Sequence, residues 1–169
     1  MISGSNYEIL KEIAVRVLSL INPKLPFGTN LFNAIARITV GTAIEAVIFR
    51  NTEQGPEIFL AKRKPGGAYA GLWHCPGTFL RPGEAIEIAL ARLENNEKIG
   101  KFIKTEFAGF YNNLDEERGH TVHLIFSCET EVSADIEGHW FLVDDLPTDV
   151  IVEHHVRVVI PTAFKKFSV

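Results

Sequence analysis

Residues 71–100 restrict the fold more than any other part of the chain. They read as a strand, then the glycine-containing loop Pro76-Gly77-Thr78-Phe79-Leu80-Arg81-Pro82-Gly83-Glu84, then a helix over 85–98. Glycine in such a loop lets backbone groups approach a ligand closely. Ile86, Leu90, Leu93 and Glu97 follow a 3.6-residue period, and Gly100 offers a stop. The sequence on either side reads as strands. The segment 38–50 is rich in β-branched residues, 57–62 is its hairpin partner, and Gly55-Pro56 marks the turn. Further strands are predicted over 102–111 and 121–132, around the charged loop 112–119. A short apolar run at 140–143 precedes Asp144-Asp145-Leu146-Pro147, and 151–167 reads as a last helix ending in basic residues. Strands and helices mix without a regular βαβ repeat, which gives α/β in the broad sense, or α+β.

Ahead of this lies an amphipathic helix over 6–21, with Ile9, Ile13 and Val17 at i, i+4 and i+8. Pro23 and Pro26 end it, and 23–30 reads as a connector. The organisation expected is therefore an N-terminal helix and connector over 1–30 and a single domain over 31–169. Its 169 residues fit one such domain, and 46% hydrophobic content suffices for a core.

Charge and cysteine content exclude several classes. The 17 Lys+Arg against 21 Asp+Glu leave a net −4, so no basic surface is available for non-specific nucleic-acid binding. An anionic ligand held by a few local Arg or Lys remains open. Cys75 and Cys128 form no CxxC pair and read as buried spectators. No apolar run reaches the roughly 18–20 residues of a membrane span. Glu8, Lys11, Glu12 and Arg16 interrupt any secretory signal, so a cytoplasmic protein without a membrane partner is expected.

The helix over 85–98 carries Arg92, Glu94, Asn96 and Glu97, and positions 93, 96 and 97 share one face. Carboxylates on such a face suit Mg²⁺, which prefers oxygen ligands. At these residues the sequence resembles the Nudix hydrolases, whose box reads G-x5-E-x7-R-E-U-x-E-E-x-G-U. Glu84 fits the first Glu, and Arg92 follows after seven residues. Trp73, Pro76-Gly77 and Gly83-Glu84 match the approach to the box. Phe59-Leu60-Ala61-Lys62-Arg63 resembles the second strand, and Trp140-Phe141 with Asp145-Leu146-Pro147 the late strand and helix entry. The resemblance covers roughly residues 40–165. It implies a Nudix-like mixed sheet sandwiched between helices, with the N-terminal helix an addition.

The departures are specific. Thr78 stands at the opening Gly, Leu93 and Asn96 replace two acids, and Ile99 stands where Gly is expected. A register shifted by one residue aligns Glu94, Glu97 and Gly100 with acids and the closing Gly, but loses Arg92. The run 91–97 is similar to that of the GDP-mannose mannosyl hydrolases, although Phe79 replaces an Arg of that branch. The resemblance implies Mg²⁺ (or Mn²⁺) held by Glu97 and the Gly77 carbonyl, with Glu94 joining in the shifted register. It also implies a nucleoside-diphosphate small molecule facing Arg63 and Arg92, with a nucleotide sugar such as GDP-mannose ahead of ADP-ribose.

Each assignment has a plainer alternative. Glu97 is a metal ligand or a solvated helix acid. Arg92 binds phosphate, or pins the loop by hydrogen bonds to its carbonyls. Tyr69 and Trp73 stack on a base or sugar, or pack against the core. His120, after the acidic loop 115–119, is the expected general base, and of His120 and His123 only one is expected to face the cleft. Glu117, or Glu116, is the alternative base or third metal ligand. Adjacent helical residues diverge by about 100°, so His154 and His155, beside Glu153, are assigned to packing or surface. The function expected is a Nudix-type hydrolase. The alternative is a non-catalytic domain binding a nucleotide or protein partner, and a homodimer is left open.

Overall fold

The structure is a computed structural model that describes residues 4–65, 69–131 and 138–168. Gly66, Gly67, Val132 and the Glu153 side chain lie outside the described residues. Two helices come first, α1 (Gly4–Leu18) and α2 (Gly28–Ala36). A hairpin follows, β1 (Gly41–Thr52) and β2 (Gly55–Lys62), and then two short strands, β3 (Trp73–His74) and β4 (Gly77–Phe79). Helix α3 (Ile86–Glu97) precedes β5 (Phe102–Asn113), β6 (Thr121–Thr130) and β7 (His139–Leu142). A π-helix, Val152–Val159, runs directly into α4 (Ile160–Phe167).

The fold is a mixed α+β sandwich. The sheet runs β3-β2-β1-β6-β5, with β4 also pairing β1 and β7 also pairing β2. Among the described strand pairs β1 and β6 run parallel and the others antiparallel. Residues 43–49 of β1 are all buried, as expected for a strand covered on both faces. Side chains alternate across a strand. Thus Ile44, Ala46 and Ile48 pack with Ala89, Leu90 and Leu93 of α3. Val47 and Phe49 pack on the other side with Val159, Ile160 and Ala163. Glu45, sharing parity with Val47 and Phe49, faces the α4 layer.

The strands and α3 fall within a few residues of their predicted positions, except that β4 forms inside the predicted loop 76–84, where Gly77–Phe79 pairs with β1. Three further predictions change. The connector 23–30 is not wholly irregular, because α2 begins at Gly28 and crosses the expected boundary at 30/31. Helix α3 stops at Glu97, where Lys98 takes a left-handed conformation, rather than at Gly100. The C-terminal helix begins with π-turns, which alters the directions of its first side chains. Helix α1 forms as predicted, yet residues 6–20 are all exposed. Among the described residues no helix is long and apolar enough to cross a membrane.

Leu93 is 1% exposed and belongs to the α3 core. Its replacement of a box acid is therefore a packing choice. Leu93→Ala should lose about 2–5 kcal/mol of stability by cavity formation. Restoring the acid with Leu93→Glu should destabilise at least as much, because the new carboxylate would be buried without a partner. Urea unfolding of the two variants checks both.

Candidate functional site

β1 and β4 pair Glu45 opposite Gly77, and β6 lies on the other flank of β1, pairing Ala43 with His123. A Cβ at Gly77 would stand 2.6 Å from Glu45 Oε2 and 3.0 Å from the Ile44 carbonyl oxygen. Glycine is thus required for this close approach of backbone to carboxylate. Gly77, Asn96, Glu97, Glu45, His123 and Arg63 line a cleft of about 270 Å³. Glu97 is half-buried at the last position of α3, and Asn96 beside it is exposed. Of the three helix positions at 93, 96 and 97, the structure brings 96 and 97 to the cleft and sends 93 into the core.

A larger cavity of about 910 Å³ adjoins the cleft, sharing Arg63, Thr78, Phe79 and Arg118 with it. Phe27, Phe32 and Arg37, contributed by α2 and its flanks, form part of its wall. Phe32 meets Phe79 edge-on at 4.8 Å, so the N-terminal segment builds this cavity together with the loop before α3. Arg63 is set just after β2 by two backbone hydrogen bonds, its N–H to Leu72 and its carbonyl from Gly71. Its guanidinium lies 5.7 Å from the Tyr69 ring centroid. Its buried Nε has no hydrogen-bond partner among the described residues. Arg118 stacks over Phe79 at 4.9 Å and pairs with Glu116 at 3.1 Å.

Arg92 has its donors committed. Nε donates to Glu84 Oε1 at 2.8 Å, and one terminal nitrogen donates to Thr78 Oγ1 at 2.7 Å. The other reaches the Phe79 carbonyl at 2.9 Å and Glu84 Oε2 at 2.8 Å. Glu84 also accepts from the Arg81 N–H. The Arg92 guanidinium holds the Glu84 carboxyl below its ordinary pKa. The pair therefore fixes the loop between β4 and α3, which is the pinning alternative for Arg92.

The remaining predicted residues divide. Tyr69 stands beside Arg63, and its hydroxyl accepts the Glu117 N–H at 3.5 Å. Burial holds the phenol above its usual pKa. Trp73 lines neither cavity; it packs edge-on against Phe141 at 5.1 Å. Glu94 is not on the cleft, because its carboxylate accepts the Phe102 N–H at 2.7 Å and anchors the start of β5. His120 also lines neither cavity and contacts Asn112 Oδ1 at 2.6 Å. His123 is the histidine that faces the cleft. Glu117 is exposed and lines the larger cavity, whereas Glu116 is buried.

Sequence reasoning did not single out Glu45, His74 or Arg118; of the two roles left open for His154 and His155, the structure takes packing. Both lie in the interior, 7% and 3% exposed, with ring centroids 4.8 Å apart. The assumed 100° divergence belongs to an α-helix, and this segment is π-helical. His123 Nδ1 lies 2.8 Å from Glu45 Oε1. His155 Nδ1 accepts the Cys75 N–H at 3.2 Å. Burial raises the Glu45 carboxyl pKa, opposed by the His123 hydrogen bond. Burial pushes His74 down to about 4 and His154 to about 3, and nearby Arg63 acts in the same direction. An acid inside the apolar run Thr42-Ala-Ile-Glu45-Ala-Val-Ile-Phe49 was the available signal for Glu45.

The family model of the NUDIX domain matches residues 41–159. No curated protein matches the chain. Among solved structures, NrtR of Shewanella oneidensis complexed with a 27mer DNA superposes with TM-score 0.62 at 18% identity, over 75% of this chain and 62% of that one. The NUDIX domain of the same protein complexed with ADP ribose gives TM-score 0.56 at 18% identity, over 90% and 97%. A NUDIX hydrolase from Nitrosomonas europaea gives TM-score 0.58 at 20% identity, over 77% and 90%. The chain thus spans 62% and 64% of the first two NrtR chains. At these identities the likeness is one of fold.

The depressed His74 pKa has a defined sign. The unfolded chain protonates this histidine near 6.5, the folded chain only near 4. Stability from this group is complete above about 6.5 and is lost as pH falls toward 4. At pH 5 the loss should be about 2 kcal/mol. His154 and His155 act with the same sign, and the raised Glu45 pKa opposes them. Denaturant unfolding at pH 7.5 and pH 5 should show a smaller loss for His74→Gln than for the parent chain. An equal loss would remove His74 from the account.

Proposed function

Because the chain belongs to the Nudix family, we propose that its cleft binds a nucleoside diphosphate linked to a second group and hydrolyses it with a divalent metal. The observation that carries this reading is Arg63. It lines both the cleft and the larger cavity, and its buried Nε lacks a hydrogen-bond partner among the described residues. An anionic oxygen at the junction would satisfy that donor, and Arg118 stands on the same junction. The diphosphate then lies between the two arginines, and Phe27, Phe32 and Phe79 offer an apolar wall to a base or sugar.

The oxygen donors on the cleft fit Mg²⁺ or Mn²⁺. Glu97 supplies the carboxylate, Asn96 a neutral amide oxygen, and Gly77 a backbone that no side chain screens. When bound, such a metal neutralises diphosphate charge and activates water. Arg92 serves by holding the loop through Glu84, Thr78 and the Phe79 carbonyl. Glu117, on the larger cavity, is retained as the base; His120, held by Asn112, is set aside, as are Glu94 as ligand and Trp73 as base platform. ADP-ribose is the first substrate to test, since the compared NUDIX domain of NrtR is complexed with it. GDP-mannose belongs in the same panel on the strength of the 91–97 run alone.

A second reading is a domain that binds the nucleotide without turning it over. It is favoured by Leu93 and Asn96, which leave Glu97 as the one acid of the box triplet. One assay separates the two. With Mg²⁺ or Mn²⁺, ADP-ribose and nucleotide sugars should yield product in isotopically labelled water. Glu97→Gln should cut turnover by more than the roughly 10–100-fold typical of losing an outer-shell partner of a metal. Its thermal midpoint should be unchanged. Unchanged turnover in Glu97→Gln removes Glu97 from the mechanism. Thermal stabilisation by ADP-ribose with no product selects the binding reading.

A further inference from the structure

Three ligand-type side chains meet in the layer between the sheet and the π-helix. Glu116 comes from the loop after β5, His123 from β6 and His154 from the π-helix, and all three are buried. One donor atom of each lies within 4.8 Å of the others. The hydrolytic reading above uses none of them. As a polar network the cluster is incomplete, because Nε2 of both His123 and His154 is buried with no hydrogen-bond partner among the described residues. Buried polar atoms in folded proteins nearly always have a partner, and each exception calls for a physical account.

The other ring nitrogens are occupied in a way that gives one. His123 Nδ1 faces Glu45 Oε1 at 2.8 Å, so a neutral ring donating to that carboxylate keeps its Nε2 lone pair free. His154 Nδ1 faces the Asn113 amide at 2.8 Å. There Asn113 Nδ2 is shared between His154 and Glu116, so ligation through His154 Nε2 requires the Asn113 amide to turn over, which gives up its donation to Glu116 and its bond from the Asp115 N–H. Glu116 is held by Arg118 at 3.1 Å, a contact that does not depend on the Asn113 amide. Imidazoles oriented by a carboxylate or amide at their far nitrogen are the usual arrangement around a bound transition metal.

We propose that Glu116, His123 and His154 bind a zinc-class divalent metal, with Glu45, Asn113 and Arg118 as its outer partners. Two imidazole nitrogens and one carboxylate suit zinc and disfavour Mg²⁺, which takes oxygen. Donors about 2.1 Å from a tetrahedral metal stand roughly 3.4 Å apart, so the three groups close inward by about 1 Å or less on binding. The carboxylates of Glu45 and Glu116 offset the added charge. His123 also lines the 270 Å³ cleft, which gives the ion a route from solvent. The bound metal clasps the loop after β5, strand β6 and the C-terminal helix together, and it is separate from the cation held at Glu97.

The test is metal binding to the full chain after chelator treatment. Calorimetric titration with Zn²⁺ should give one site per chain and a raised thermal midpoint, and Glu97→Gln should bind Zn²⁺ equally well. His123→Gln and His154→Gln should abolish that binding, and Glu45→Gln should weaken it about 10–100-fold. If either histidine variant fails to fold, Co²⁺ titration of the parent chain decides. Visible d–d bands of a low-coordinate nitrogen site support the proposal, and the pale spectrum of hydrated Co²⁺ overturns it. Absence of stoichiometric Zn²⁺ binding also overturns it. So does binding that survives both histidine substitutions or is lost in Glu97→Gln.

Discussion

The parallel pairing of β1 with β6 sets the positions of most groups with chemical consequence. It aligns Glu45 and His123 on one face of the sheet and presses both faces of β1 into apolar layers. A carboxylate at that place has no water to solvate it and must find partners within the protein. It finds the His123 imidazole at 2.8 Å, and Gly77 opposite gives up its side chain so that the carboxylate fits. The antiparallel pairing of β1 with β4 sets Gly77, at the start of β4, on the same cleft that Asn96 and Glu97 of α3 reach. Cleft and buried histidine cluster therefore share the β1 strand as a common wall.

Burying so many polar groups opposes folding unless they are satisfied. In the α4 layer His74, His154 and His155 are all held neutral by burial. The Arg63 and Arg118 cations nearby reinforce this for His154. Glu116 pairs with Arg118 at 3.1 Å, and Glu45 meets the His123 ring at 2.8 Å. The unpartnered Nε2 atoms are what this balance leaves over. By contrast the loop before α3 is tied by a closed set of bonds: Arg92 donates to Glu84, to Thr78 and to the Phe79 carbonyl, and Glu84 accepts the Arg81 N–H. One region is thereby rigid before any ligand arrives, and the other has bonding capacity to spare.

Much of the fold was readable because burial leaves a period in the sequence. Ile86, Leu90 and Leu93 had to recur at helical spacing to cover one face of the sheet, and the β1–β2 hairpin carried its own turn signal. Helix α2 left no such trace. Pro23 and Pro26 stand before it, its first position follows Phe27 without a side-chain cap, and none of its residues is buried. Glu45 was overlooked because an acid in a strand ordinarily marks a solvent face; the C-terminal helical layer that covers this face comes from the far end of the chain. His120 was preferred to His123 because it adjoins a charged loop, yet strand register, not proximity to a loop, decides which ring enters the cleft. His154 and His155 were separated by assuming α-helical angles for a segment that turns more widely.

The acid deficit along α3 takes on a physical meaning once Leu93 is seen in the core. A helix face that carried carboxylates at 93, 96 and 97 would turn its first acid toward Ile44 and Phe59, where the core has closed around leucine. Replacing that acid removed a buried charge and its desolvation cost, and it left the last turn of the helix to meet the cleft alone. On the proposed reading, metal affinity at the cleft would depend on Glu97 and on the phosphate oxygens of the ligand. A cation shared between one carboxylate and a diphosphate binds well only when the diphosphate is present. In the proposed hydrolase the arginines at the junction would therefore control metal loading as well as substrate binding, coupling the two events through charge at one place.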